Sequence, residues 1–501
     1  VDTEFGRKTR IHQASCNKDY SCLDGDCPAF LTVEPGTATA RPALDPLGVD
    51  DVPAPPAVVD TDEFTVRLAG IGGTGVTTVS QVLATAGLVA GRHVRGLDQT
   101  GLAQKGGAVV SDVKISRAPH EAAGRAAEGE CDLYLGADLL VAAEPANLAT
   151  TSPWRTVAAV SSAKVPTGAM VVDPSVSFPD PDAVLARITE RVRRDAGVVL
   201  DARALADALF GDDQFALTLL VGAAFQTGAL PLPATAIEEA FALNGAAVET
   251  NVQAFRRGRQ AVADPDAFAS AVATVTGTAT DTGVPGLSAR GAAEAAEIVA
   301  SIGAPAGSEL ERLVGVRVPE LVAYQDAGYA RAYADVVRGC VDADPRLAEA
   351  IATGLYKLMA YKDEYEVARL SLDPALEASV RAQFGDGARY AWKLHPPVLR
   401  AMGMQRKITL GRWFRPGYRS LRAMRKLRGT RLDPFGLAEV RRVERELVAE
   451  YVDLVPSLLA LDDVDRAVEI AELPDMVRGY EQIKLDNVAR YRARLAELLP
   501  T

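Results

Sequence analysis

The stretch from Arg67 to Val76, RLAGIGGTGV, decides the fold. The strand-forming run FTV leads into it from Phe64, and VTTVSQVLATAGLVAG leads out of it from Val76, so a strand passes through a glycine turn into a helix. Within it Gly70, Gly72 and Gly75 stand in G-x-G-x-x-G register, in the strand–turn–helix context that this fingerprint requires. Glycines let the backbone turn tightly, and the helix N-terminus at Thr74 to Thr77 then offers free N–H groups to an anion. Gly70, Gly72, Gly73 and Gly75 are therefore candidate cofactor-binding residues. Asp98 closes the next strand, near where a dinucleotide-binding fold keeps its ribose acid, so the pattern alone points to an NAD(P)-dependent dehydrogenase. The competing reading is that these glycines only permit close packing of helix on strand. The loop after Asp98, QTGLAQKGGA, adds Gly101, Lys105, Gly106 and Gly107 and is expected beside the first glycine loop, where Lys105 is a candidate to neutralise a phosphate or is simply solvated.

Outward from this turn, strand-like and helix-like runs alternate, with HVRGLD, AVVSDVKI, CDLYLGAD and TVAAVSS as further strands and Asp182 to Arg259 reading as helices. The alternation predicts a Rossmann-like α/β domain with a parallel-rich sheet over 63–265. Six prolines between Pro35 and Pro56 mark 37–62 as a linker behind a cysteine-bearing segment, 1–36. A second linker, 266–286, contains the small, polar run TVTGTATDTGVPG, and 287–501, lacking strand alternation, is expected to be an all-helical C-terminal domain.

The 501 residues are 48% apolar and 24% charged, the composition of an ordinary globular protein of several folding units. A net charge of −12 argues against attraction of the whole molecule to nucleic acid or anionic lipid, so neither partner is expected. The longest apolar stretch, Ala216 to Phe225, is about half of a bilayer span, and the start VDTEFGRKTR has no signal-peptide core, so a cytoplasmic protein is expected. The first residue is Val1 rather than Met, with the cysteine motif close behind it, which suggests a piece of a longer chain.

Five cysteines are too few for a disulfide scaffold, yet Cys16, Cys22 and Cys27 crowd into C-x5-C-x4-C. Thiolates at such spacing can converge on one soft metal centre, zinc or iron–sulfur, or be three loop thiols without a metal. Either centre wants four ligands; Cys131 lies in a probable buried strand and Cys340 in a distant helix, so the fourth is not identified. His12, His93, His120 and His395 form no ligand or catalytic spacing, and no catalytic residue is identifiable.

Between Lys393 and Arg431 twelve Lys or Arg occur with no Asp or Glu, at odds with the acidic whole. Leu421, Met424 and Leu427 recur at helical spacing opposite Arg419, Arg422, Arg425 and Lys426, so one face packs and the other is basic. That face fits RNA, a polyanionic cofactor, an acidic ferredoxin, an acidic neighbouring subunit, or acidic surface of the same protein. Aromatic interleaving is limited to Trp413, Phe414 and Tyr418, thin for a single-strand binding platform.

These residues carry a family resemblance. Gly70 to Ser116 resembles the gamma-type domain of the 2-oxoacid:ferredoxin oxidoreductases, and Arg10 to Phe30 resembles the end of the thiamine-binding domain of the fused indolepyruvate ferredoxin oxidoreductase type. YKLMAYKDEYEVARL from Tyr356, LHPPVLRAMGMQRKITLGRWF from Leu394 and RGTRLDPFGLAEVRRVERELVAEY from Arg428 resemble the helical C-terminal domain of the same type. The resemblance implies oxidative decarboxylation of a 2-oxoacid, typically an aryl pyruvate, on thiamine diphosphate with Mg. Electrons would leave through an iron–sulfur cluster of the 4Fe-4S kind to ferredoxin, and the acyl group would go to coenzyme A. By position, Cys16, Cys22 and Cys27 match the family's cysteine motif and Gly70, Gly72, Gly73 and Gly75 its glycine loop. The thiamine-binding sequences of the family lie upstream of residue 1, so the resemblance implies a catalytic partner, fused or separate, an assembly that is a homo-oligomer, and no turnover by this chain alone.

Overall fold

A computed structural model describes the chain except for residues 1–2, 7, 9, 13–15, 26, 38–43, 57, 101–106, 120–122, 174–175, 277–283, 395–406 and 500–501. Lys105 therefore lies outside the described residues. The strands in chain order are β1 Leu31–Glu34, β2 Glu63–Ile71, β3 His93–Thr100, β4 Ala108–Ser116, β5 Leu133–Gly136, β6 Val157–Ser161, β7 Val198–Leu200, β8 Arg389–Leu394 and β9 Ile408–Gly411. The chain divides into two compact units, one of residues 11–16 and 40–279, the other of 1–10, 17–39 and 280–501.

The first unit is α/β, with a six-stranded sheet in the order β3-β4-β2-β5-β6-β7. β2, β5, β6 and β7 are parallel, while β4 runs antiparallel between β2 and β3. Every residue of β2 from Phe64 to Gly70 is buried, as expected of a central strand covered on both faces. On one face α1, Val76–Val89, packs with the helices Ala216–Gln226, Ala234–Asn244 and Val248–Ala263 around Val66, Leu68, Leu83, Leu220, Phe241 and Phe255. On the other, Tyr134 and Val160 meet Leu139, Val184 and Ile188. Arg257 and Arg259 in the helix Val248–Ala263 donate to the carbonyls of Asp45 and Val52, which pins the proline-rich stretch read as a linker along the α/β unit. Pro265–Thr276, placed in the second linker by its small residues, is a helix, started by Asp264, whose carboxylate accepts from the Ala267 amide.

The second unit is helical, around a core that includes Val314, Val318, Tyr333, Ile351, Leu355, Leu447, Tyr451 and Ile470. It differs from the all-helical expectation at one place. β8 and β9 form an antiparallel sheet with β1 from the start of the chain, and Tyr390 and Trp392 point from β8 into a small cluster with Leu410 and Tyr418. Among the described residues no helix is long and apolar enough to cross a membrane.

Candidate functional site

The site is built by the turn between β2 and α1. Gly70 ends the buried run of β2, and a Cβ there would sit 2.8 Å from Thr74 Oγ1, 2.9 Å from Ala137 Cβ and 3.0 Å from Val76 Cγ2. Gly73 and Gly75 adopt φ of 98° and 82°, the left-handed region that glycine enters without a Cβ clash. A Cβ on Gly75 would meet open space, so the backbone conformation and not a tight contact calls for glycine there. Thr74 Oγ1 donates to the Ile71 carbonyl at 2.7 Å, and the Gly72 amide donates to the Gly107 carbonyl at 2.7 Å. Gly107, at the end of the second glycine-rich run, thus lies beside the first glycine turn.

Beside this turn lies a crevice of about 250 Å³ lined by Ile71, Gly72, Gly73 and Thr74 and, across it, Arg203, Asp213 and Leu217. Ala137 and Ser161, at the carboxyl ends of β5 and β6, form its floor. The strand order reverses here, since the chain goes from β2 out to β3 and β4 on one side and to β5 on the other. Such a switch point is where open α/β sheets bind ligands. The first turn of α1 presents backbone N–H groups and the positive end of the helix dipole.

The charged wall is made by residues that have no local motif in the sequence. Arg203, in the first turn of the helix Ala202–Phe210 that Asp201 caps, donates to the Asp213 carboxylate from Nε at 2.7 Å and also from Nη2. His12 Nε2 lies 3.1 Å from Asp213 Oδ2 and 3.2 Å from Arg203 Nη2. His12 is thus a site residue that sequence spacing missed. Burial raises the Asp138 carboxyl above its usual range, against hydrogen bonds from the amides of Val141 and Leu140 and the positive charge of Arg203. A guanidinium facing a glycine turn at a helix N-terminus is equipped to bind and orient a phosphate or carboxylate group.

Asp98 does not take the ribose position expected of it. Its strand β3 is the sheet edge, separated from β2 by antiparallel β4, and its carboxylate accepts from Ser80 Oγ at 2.9 Å. A dinucleotide-binding sheet instead sets the acid-bearing strand directly beside the glycine-loop strand.

The cysteines are distributed over both units. Cys16 belongs to the α/β unit, its amide donating to the His12 carbonyl at 3.0 Å. Cys22 and Cys27 belong to the helical unit, Cys22 exposed in the turn Ser21–Asp24. The Cys27 carbonyl accepts from Lys407 Nζ at 3.2 Å, and burial followed by contact with the Cys27 sulfur raises the Tyr480 phenol above its usual range. Cys131 and Cys340 are buried, their thiols donating to the Leu133 and Val336 carbonyls. Among the described residues no three His, Cys, Asp or Glu side chains are placed to hold a metal ion. No electron-transfer step is derived for Cys16, Cys22 and Cys27, which remain candidate ligands.

Residues 65–261 match the family model described as pyruvate ferredoxin/flavodoxin oxidoreductase, and 310–497 match a family of unknown function, DUF6537. No curated protein matches. Among solved structures, pyruvate oxidoreductase subunit PORC from Thermotoga maritima is similar at 20% identity over 40% of this chain and 97% of its own, with a TM-score of 0.30. The 2-oxoglutarate:ferredoxin oxidoreductase from Magnetococcus marinus, solved with 2-oxoglutarate, coenzyme A and succinyl-CoA, is similar at 17% identity over 40% of this chain and 31% of its own, with a TM-score of 0.31. The gamma subunit of the keto/oxoacid ferredoxin oxidoreductase from Geobacter sulfurreducens PCA gives 20% identity over 40% and 98%, with a TM-score of 0.28. The segment of the α/β unit that builds the glycine turn and most of the crevice is the one that matches this oxidoreductase family model.

Proposed function

We propose that this chain supplies the gamma-type and helical domains of a thiamine-diphosphate-dependent 2-oxoacid:ferredoxin oxidoreductase of the indolepyruvate type. The complete enzyme would oxidatively decarboxylate an aryl or branched 2-oxoacid to the acyl-CoA and CO2 and pass the electrons to ferredoxin. The observation that carries this reading is the crevice at the carboxyl ends of β2, β5 and β6, with its glycine turn and Arg203, inside the segment that matches the oxidoreductase family. Thiamine diphosphate supplies the decarboxylation chemistry when bound. No step through it is derived for this chain.

The role proposed for the chain's own residues is to hold coenzyme A as a substrate. The first-turn amides of α1 receive a phosphate group, and the left-handed Gly73 and Gly75 keep those amides turned toward it. Arg203 exchanges part of its bond with Asp213 for the phosphate oxygens. The apolar side chains of Leu217 and Leu220 line the adjoining wall and limit the water that reaches it. Cys16, Cys22 and Cys27 stay proposed cluster ligands that need groups beyond those described to complete a site. The test is coenzyme A-dependent viologen reduction by the chain joined to its thiamine-binding partner. An aryl pyruvate should support it, and failure of every 2-oxoacid offered would overturn the reading.

A further inference from the structure

Among the described residues of the basic run two parts stand apart. Arg428 is spent internally, buried with Asp363 at 2.5 and 2.8 Å and stacked 3.6 Å over the Tyr324 ring. The other part faces out. Arg412, Arg415, Arg419, Arg422 and Lys426 recur every three or four residues through the turn Arg412–Phe414, the helix Arg415–Ala423 and the turn Met424–Leu427, which places them along one stripe. Phe414, Tyr418 and Leu421 hold the opposite side against Trp392.

One carboxylate answers this stripe. Glu377 accepts from Arg412 at 2.5 Å and from Arg415 at 2.9 Å, while Arg422 donates to the Gly286 carbonyl at 2.6 Å. Arg419 and Lys426 are exposed, and no described carboxylate pairs with either. Trp413, at the head of the stripe, is 70% exposed.

We infer that this stripe is the docking surface for a small acidic electron-carrier protein, an inference that rests on the oxidoreductase reading above. Charge complementarity selects an acidic partner, because the stripe is cationic on a molecule whose net charge is −12. The same net charge selects a compact partner: a long nucleic acid would run off the stripe onto repelling surface, and a single exposed ring offers little stacking to bases. Arginine beside exposed tryptophan is the composition of protein–protein hot spots. The stripe spans roughly 20 Å at 1.5 Å per helical residue, the footprint of a small protein.

The test uses the full 501-residue chain, an acidic ferredoxin as the probe and poly(U) RNA as the competing polyanion, with binding followed by interferometry at two salt concentrations. Arg419→Glu with Lys426→Glu should leave the melting curve in place and weaken ferredoxin binding by about tenfold or more, with wild-type affinity falling as salt rises. Arg412→Glu is the second variant should the first misfold, and should weaken ferredoxin binding likewise. Unchanged affinity in a folded variant, no ferredoxin binding by the wild type, or tighter binding of poly(U) than of ferredoxin would overturn the inference. Viologen reduction bypasses protein docking, so its loss would strike the oxidoreductase reading, whereas its persistence beside unchanged ferredoxin binding would strike only the docking surface.

Discussion

The Gly72 amide donates to the Gly107 carbonyl across 2.7 Å, which fastens the turn after β2 to the residue just before β4. The turn is held on its other side by Thr74, whose hydroxyl and amide both donate to the Ile71 carbonyl. A turn held at both ends keeps its shape before a ligand arrives, which lowers the ordering cost of binding.

The two glycine positions in this turn should respond differently to a side chain. Gly70→Val meets Thr74 and Ala137 at distances that real Cβ atoms essentially never show, with Val76 tight beside them, and should destabilise the α/β unit by about 3 kcal/mol. Gly75→Ala meets open space but must hold φ near 82°, and should lose about 1–2 kcal/mol. Thermal melts of the two variants measure the order; equal losses would contradict it.

Arg203→Met removes the crevice's guanidinium while keeping its length. A charge-assisted hydrogen bond contributes about 1.5–3 kcal/mol, so the apparent KM for coenzyme A in the complete enzyme should rise roughly tenfold or more. The melting temperature checks that Asp213, which His12 also approaches, tolerates the change. An unaltered KM would remove Arg203 from the binding role.

Arg428→Met should be among the most damaging single changes in the helical unit. Both members of the pair are 3% exposed, and Asp363 also caps the helix Glu364–Ser371 by accepting from the Glu366 amide. Leaving that carboxylate buried without its cation costs about 3–5 kcal/mol, read as a lower melting temperature. A change under about 1 kcal/mol would show that the pair is offset by other contacts.

How far the molecule is legible in its sequence follows from how local each signal is. The strand, turn and helix from Phe64 to Val89 are written in contiguous residues, and the crevice beside them follows from the sheet's switch point. The need for glycine at position 75 is visible, but its cause is the backbone angle; the close approach is at Gly70. Arg203, Asp213 and His12 carry no shared pattern, because only the fold brings them to one wall. β8 was hidden for a related reason: six residues of alternation gain meaning only when paired with β1 at the far end of the chain. Asp98 misled because spacing along the chain does not reveal that β4 inserts between β3 and β2.

Lys357 gives the helical unit a pH signature. Burial lowers its ammonium to about 8, the opposing charge and hydrogen bond of Asp475 restoring only part of the loss. In the unfolded chain a lysine titrates near 10.4, so between about pH 8 and 10.4 the unfolded state binds the extra proton and stability rises with pH. Below pH 8 both states are charged and the folded state bears the full cost of burial. Lys357→Met, with Arg478 still neutralising Asp475, should melt higher than wild type at pH 7, and this advantage should shrink as pH rises from 8 to 10. A difference that does not vary with pH would contradict the assignment.

The most direct test of the central claim is 2-oxoacid-dependent reduction of methyl viologen by this chain purified together with its thiamine-binding partner, fused or separate. The account predicts reduction that requires coenzyme A, is supported by indolepyruvate or a related aryl pyruvate, and weakens in its coenzyme A dependence with Arg203→Met. Absence of reduction with every 2-oxoacid, from a complex shown to hold thiamine diphosphate, would contradict it.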